Sequence, residues 1–215
     1  LGVSRVPSIR VSGELIFLVK HAVLTKEDMM GILAVLLNQK QIDQFTENQE
    51  IDFAYNFRDE SRLRGNAFFQ KGLVSLVLRL VPKVQNMKDL RLPPILAEIA
   101  KKKQGFFLVV GPVGQGKSTT LASMVNLINT EQARNIITIE DPIEHIHVPA
   151  KSIISQREVG IDTKEFGTAL KSVFREDVNV IMIGEMRNPE TIATAVTAAE
   201  TGHLVISTLH TNNAS

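Results

Sequence analysis

Residues 111–118 read Gly-Pro-Val-Gly-Gln-Gly-Lys-Ser, which matches the pattern G-x-x-x-x-G-K-[ST] of phosphate-binding loops. Glycines let the backbone turn tightly enough for its N–H groups to face phosphate oxygens, and a following helix adds partial positive charge. Lys117 would reach the β and γ phosphates of a nucleoside triphosphate, Ser118 would bind Mg²⁺ through its hydroxyl, and Thr119 would support the α-phosphate side. The predicted binding residues are Gly111, Val113, Gly114, Gln115, Gly116, Lys117, Ser118 and Thr119.

Four short apolar, β-branched runs alternate with helical stretches around this loop. Near-continuous hydrophobic strands of this kind are typical of a parallel sheet buried on both faces. Asn188 followed by Pro189 marks one helix start, and Gly202 lies just past the end of that helix at 190–201. We therefore predict an α/β core. Its predicted strands are 106–110, 136–139, 180–183 and 204–209.

Polar residues follow three of these strands. Glu140, Asp141 and Glu144 come after the second strand, Glu185 after the third and His210 after the last. Because ligands of open parallel sheets bind beyond the carboxyl ends of the strands, these side chains are expected around one crevice. A carboxylate there can hold Mg²⁺ through water and orient the attacking water, a role that Glu185 fits best. Ser118 and Glu185 are thus the predicted metal residues.

Structural roles compete with several of these predictions. Asp141 precedes Pro142, so it fits a turn cap as well as a ligand-binding role. Histidines are often satisfied structural residues, which leaves both interpretations open for His203 and His210 and favours the structural one for His145 and His147.

The first third of the chain predicts a small α+β domain. A hairpin is expected at 8–11 and 14–18, around Ser12-Gly13, and a single helix starts after the N-cap Thr25, with Asp28 three residues later. Strands are expected at 50–57 and 62–70, and the apolar stretch 72–80 fits no single type. Leu92-Pro93-Pro94 interrupts helix and strand alike. We predict an N-terminal domain at 1–84, a linker at 85–94 and the core at 95–215.

The amino-acid composition indicates which kinds of binding partner and cellular location to expect. The 24 basic residues nearly cancel the 23 acidic ones, and the chain has one Tyr and no Trp, so neither a basic nor a stacking channel for nucleic acid is indicated. The absence of cysteine fits a reducing compartment, and cytoplasm is the expected location. Apolar runs are too short to span a bilayer, so we expect membrane association only through partners. The ends of the sequence suggest a piece of a longer protein.

These residues resemble the secretion ATPase superfamily and, within it, the PilT-like type IV pilus retraction ATPases. The stretch 138–144 resembles the family's Asp box, 180–187 its Walker B strand, and 197–203 with 209–211 its His box. By this resemblance Glu144 helps to activate water, Glu185 is the Walker B glutamate, and His203 and His210 sense the nucleotide. The resemblance also implies a RecA-like core, a PAS-like N-terminal domain, a homo-hexamer that hydrolyses ATP, and an inner-membrane pilus platform protein as partner.

The family resemblance also points to two arginines of the N-terminal domain. The segment 62–68 and Arg79 resemble the stretch that supplies arginines to a nucleotide, which singles out Arg64 and Arg79.

The sequence departs from the family pattern at two positions of the phosphate loop, because Val113 and Gln115 stand where the family usually carries Thr and Ser. The family's C-terminal helical region would lie beyond Ser215. Pilus assembly and type II secretion ATPases remain alternatives, although many carry a cysteine-rich insert. A non-hydrolysing nucleotide-binding subunit is the alternative from another class.

Overall fold

The computed structural model describes residues 1–57, 61–186 and 188–209. The predicted site residue His210 lies outside them. The chain forms two compact units, Leu1–Val81 and Pro82–Ser215, which are described separately. The segment 85–94, predicted as a linker, belongs to the second unit, where Met87 packs against a hydrophobic cluster.

The first unit combines strand pairs with two helices. The hairpin β1 (Ser8–Val11) and β2 (Glu14–Phe17) is antiparallel, as predicted. Helices α1 (Lys26–Leu36) and α2 (Gln39–Asn48) follow. Strands β3 (Glu50–Phe57), β4 (Ser61–Gln70) and β5 (Leu73–Val81) form an antiparallel sheet in that order, so the untyped stretch 72–80 is a strand.

Side-chain caps start both helices of this unit. The Thr25 hydroxyl accepts the amide hydrogen bond of Asp28, whose carboxylate accepts that of Thr25, which confirms the predicted start of α1. Asn38 and Gln41 form the same reciprocal pair at the start of α2. The prediction of a single helix was wrong: α2 has few apolar residues, so its helical period is weak and its cap is the clearer signal.

One face of the three-stranded sheet is buried and the other carries arginines. Phe53, Ala67 and Leu76 pack in the core with Met29 and Leu33 of α1. Side chains alternate between the two faces of a strand. The opposite face therefore carries Arg62, Arg64 and Arg79.

The second unit is built on a five-stranded sheet in the order β6-β10-β9-β7-β8, in which every pair is parallel. This arrangement confirms the predicted α/β class. Its strands are β6 (Gly105–Val110), β7 (Asn135–Glu140), β8 (Ile153–Glu158), β9 (Val180–Ile183) and β10 (Leu204–Leu209), of which β8 was not predicted. Its helices are α3 (Ile95–Ala100), α4 (Lys117–Glu131), α5 (Phe166–Val173) and α6 (Pro189–Glu200). None of the described helices is both long and apolar enough to cross a membrane.

Hydrophobic clusters cover both faces of this sheet. Ile137 and Ile181 point to a cluster with α5 and α6, whereas their neighbours Ile136 and Val180 belong to a second cluster with α4. Because both faces are buried, adjacent residues are apolar in β9 and in the first half of β10, which accounts for the hydrophobic runs in the sequence.

Candidate functional site

A cavity of about 560 Å³ lies at the carboxyl edge of the parallel sheet. Strands β6, β7 and β9 each lead into a loop that lines it, which is the ligand-binding edge expected for this topology. Its polar lining residues include Lys117, Ser118, Thr119, Glu140, Asp141, Glu144, His145, Glu185 and Thr208. The structure thus brings together the predicted phosphate loop and the acidic residues that follow two other strands.

The loop after β6 has the backbone that phosphate binding needs. Gly114 and Gly116 have φ angles of 82° and 80°, a left-handed conformation that a residue with a Cβ rarely adopts. Helix α4 begins at Lys117 with Gly116 as its N-cap and with no side chain capping it. The first-turn amides of α4 are therefore left to a ligand or solvent, and they add partial positive charge beside the cavity.

Lys117 is folded into this loop. Its side chain is only 6% exposed, and its ammonium donates hydrogen bonds of 2.8 Å to the carbonyl oxygens of Gly111 and Pro112. The lysine therefore lies inside the ring of backbone atoms that would surround a phosphate. Val113, by contrast, is 80% exposed, and Gln115 is not among the residues that line the cavity. The groups of this loop that could meet an anion are therefore its backbone amides and the Lys117 ammonium.

Glu185 follows β9, and two hydrogen bonds of the preceding residue, Gly184, fix the backbone beside it. The Gly184 amide donates to the Ile139 carbonyl at 2.8 Å, and the Thr208 hydroxyl donates to the Gly184 carbonyl at 2.6 Å. A Cβ on Gly184 would lie 3.3 Å from Cα of Glu140, so glycine allows β7 and β9 to approach closely here. Thr208 lines the cavity itself, but no local motif distinguished it in the sequence.

The carboxylates after β7 have different environments. Glu140 is buried and accepts hydrogen bonds from the Thr138 hydroxyl at 2.6 Å, from Gln156 Nε2 at 3.3 Å and from the Glu144 amide at 3.3 Å. Burial raises the pKa of Glu140. Glu144 is exposed at the rim of the cavity, as is Asp141. Glu140 thus anchors the loop, while Glu144 and Asp141 are available to a ligand.

His145 and His147 are both buried, as expected for structural histidines. His145 also lines the cavity, and its Nε2 lies 3.4 Å from the Thr119 hydroxyl, at the long end of hydrogen-bonding distance. Burial lowers the pKa of His145, and burial with the nearby His145 lowers the pKa of His147 to about 4. Within the described part of the chain, Nδ1 of His147 has no hydrogen-bond partner.

Within the second unit, the predicted site residue His203 does not line this cavity. His203 precedes β10, so it lies at the amino edge of the sheet, roughly 17 Å from the carboxyl edge at a rise of about 3.3 Å per residue. There its Nδ1 lies 2.9 Å from the Ala198 carbonyl and its ring meets Phe174 edge-on. The family resemblance implied a nucleotide-sensing role for His203, and the direction of β10 separates this residue from the carboxylates. Arg64 and Arg79 lie in the first unit, directly opposite each other on β4 and β5.

The model of the family "Type II/IV secretion system protein" matches residues 74–215, more than half of the chain. The chain belongs to the type II/IV secretion system protein family. Within this family it is 44% identical to the "Twitching motility protein" of Neisseria gonorrhoeae over 97% of its own length and 56% of that protein's.

Two further proteins resemble the chain over different shares of its length. The crystal structure of the pilus retraction motor PilT with bound ADP superposes with a TM-score of 0.92 at 46% identity, covering 99% of this chain and 62% of that one. The type IV pilus assembly ATPase PilB of Acinetobacter baylyi is 45% identical, over 56% of this chain and 20% of its own length. The chain therefore spans little more than half the length of the gonococcal relative. Its similarity to the assembly ATPase covers only about half of this chain.

Proposed function

We propose that this chain is the nucleotide-binding part of an ATP-hydrolysing motor that retracts type IV pili. The observation that carries the proposal is one cavity that joins the Lys117 loop to Glu185 and Glu144. Such a set contains a phosphate cradle, a cation and two carboxylates beyond neighbouring strands, which are the parts that phosphoryl transfer to water requires.

The residues fit Mg²⁺·ATP as the bound group. The left-handed glycines and the buried Lys117 ammonium form a cradle for an anion, and the Ser118 hydroxyl beside it is a suitable Mg²⁺ ligand. When bound, Mg²⁺ neutralises charge on the phosphates and fixes their orientation. Lys117 would bind the β and γ phosphates, Glu185 would orient and deprotonate the attacking water, and Glu144 would assist from the loop after β7.

Arg64 and Arg79 are proposed to act on a nucleotide held by another subunit of a homo-hexamer. Their guanidinium groups share one sheet face, and within the described residues neither forms an ion pair or a hydrogen bond. Adjacent unpaired cations attract a polyanion such as a triphosphate, and an arginine stabilises charge on the transferring phosphoryl group. In this proposal the first unit is the PAS-like domain and the second the RecA-like core.

Retraction is favoured over assembly or secretion by the extent of similarity. The twitching motility protein aligns over 97% of the chain and the retraction motor structure over 99%, whereas the assembly ATPase aligns over 56%. On this basis we infer a cytoplasmic motor that acts at the inner membrane through a pilus platform protein. His203 and His210 stay predictions as nucleotide-sensing residues.

Phosphate release by the protein in its complete natural length, supplied with Mg²⁺·ATP, tests the hydrolytic function. Glu185→Gln should lower kcat by about a hundredfold or more while ATP binding persists, because it removes the base but not the phosphate cradle. Lys117→Ala should weaken ATP binding by about tenfold to a hundredfold, because it removes a charge-assisted contact.

Glu190→Gln and Lys171→Ala are matched controls, since these two residues form an exposed ion pair and neither lines the cavity. Both controls should retain parental turnover. If the assembled parent binds ATP without releasing phosphate, the chain is a non-hydrolysing subunit in which the nucleotide shapes an oligomer interface.

A further inference from the structure

Gln156 makes three hydrogen bonds that close the loop between β7 and β8. Its Nε2 donates to the His145 carbonyl at 2.8 Å and to the Glu140 carboxylate at 3.3 Å. Its Oε1 accepts from the His147 amide at 2.9 Å. One side chain on β8 therefore holds both backbone groups that flank Ile146 and reaches the acid at the end of β7.

The loop fixed in this way carries Glu144. The amide of Glu144 donates to the second oxygen of Glu140, while the first oxygen accepts from Thr138 and Gln156. Glu140 is thereby tied to its own strand, to β8 and to the Glu144 backbone. Glu144 itself is exposed, and within the described residues its carboxylate has no hydrogen-bond or ion-pair partner, so the direction of its side chain depends on the backbone that these bonds hold.

We propose that Gln156 is a positioning residue that fixes the 141–147 loop and, through Glu140, sets where Glu144 stands beside the phosphate loop. The inference rests on the proposed function, because it assigns Glu144 a role in hydrolysis. Gln156 lies outside the cavity lining, so it acts through the loop and not on the nucleotide. Errors of about 1 Å in the placement of a reacting group can cost about a hundredfold in rate, so such a support affects turnover more than binding.

Gln156→Met tests the assignment, because methionine has a similar length and makes none of the three hydrogen bonds. Gln132→Met is the matched control: Gln132 also uses both ends of its amide, donating to the Ala100 carbonyl and accepting from Arg134, at a place away from the cavity. We expect Gln156→Met to lower kcat about tenfold or more, with KM and the Kd for fluorescent ADP changed less than about threefold. Gln132→Met should leave kcat unchanged.

Amide hydrogen exchange supplies a readout that does not require hydrolysis. The amides of Glu144 and His147 should exchange at least about tenfold faster in Gln156→Met than in the parent, and at the parental rate in Gln132→Met. Parental kcat or parental exchange in the 141–147 loop of Gln156→Met would overturn the proposal. If Gln156→Met does not fold, Gln156→Asn, which is too short to span all three partners, is judged by the same criteria. A parent without turnover would instead overturn the proposed function, while the exchange comparison would still test the loop support.

Discussion

At the scale of single residues, His147 combines near-complete burial with a pKa of about 4, so the folded state holds it neutral. In the unfolded chain its pKa returns to the ordinary histidine value of 6.5. The unfolded state therefore takes up a proton first as the pH falls. Stability contributed by neutral His147 is present above the unfolded pKa and is lost between it and the folded pKa.

We accordingly predict that the free energy of unfolding decreases by about 2 kcal/mol from His147 between about pH 7.5 and about pH 5. Urea unfolding followed by circular dichroism at the two pH values measures the decrease. His147→Leu, which cannot titrate, should remove that part of the pH dependence. An equal decrease in parent and variant would mean that other groups cause it.

At the scale of elements, two glycines of the first unit have opposite surroundings. Gly65 lies in β4 where an added Cβ would overlap the ring of Phe53, whereas Gly31 lies in α1 with open space around it. Close packing makes the first position intolerant of a methyl group, while glycine in a helix is costly relative to alanine. The two alanine substitutions should therefore change stability in opposite directions.

Gly65→Ala should destabilise the first unit by about 1–3 kcal/mol through overpacking, and Gly31→Ala should stabilise it by about 0.5–1 kcal/mol. The chain has a single tyrosine, Tyr55 in β3, and no tryptophan, so tyrosine fluorescence during urea unfolding reports on this unit. A stabilising Gly65→Ala would show that the sheet can move to admit the methyl group.

The elements also show what the sequence could and could not predict. Buried parallel strands were predicted because short apolar runs such as 180–183 alternate with helical stretches and are bounded by polar residues. Strand β8 was missed because an edge strand needs less apolar surface, and only its pairing with β7 marks it as a strand. The phosphate loop and Glu185 could be predicted because each sits at the end of one strand, whereas Gln156 and Thr208 act across strands and carry no local pattern. His203 lies next to β10 but at the end opposite the carboxylates, and its nucleotide-sensing role stays a prediction.

At the scale of the whole molecule, the proposed ring requires the arginines and the phosphate loop to come from different subunits. A head-to-tail ring repeats one heterologous interface, so each complete site combines two chains. Two inactive variants then complement each other: a subunit with Arg64→Ala and Arg79→Ala keeps its Glu185, and a Glu185→Gln subunit keeps its arginines.

Co-assembly of these two variants in equal amounts should restore turnover at about a quarter of the sites, the fraction in which intact parts meet. Phosphate release from the mixed assembly, compared with each variant assembled alone, measures the recovery. If mixing gives no more turnover than the better single variant, the arginines serve the nucleotide of their own chain or none.

The exposed Val113 at the phosphate loop has a consequence for how such sites change over time. In the proposed function the loop would bind phosphate through backbone shape and Lys117, so most of its other side chains would not contact the ligand. Mutation can alter Val113 or Gln115 freely while the glycines stay constrained by their φ angles. In the proposed ring, sequence changes at these two positions would therefore alter the surface next to the nucleotide while nucleotide binding is kept.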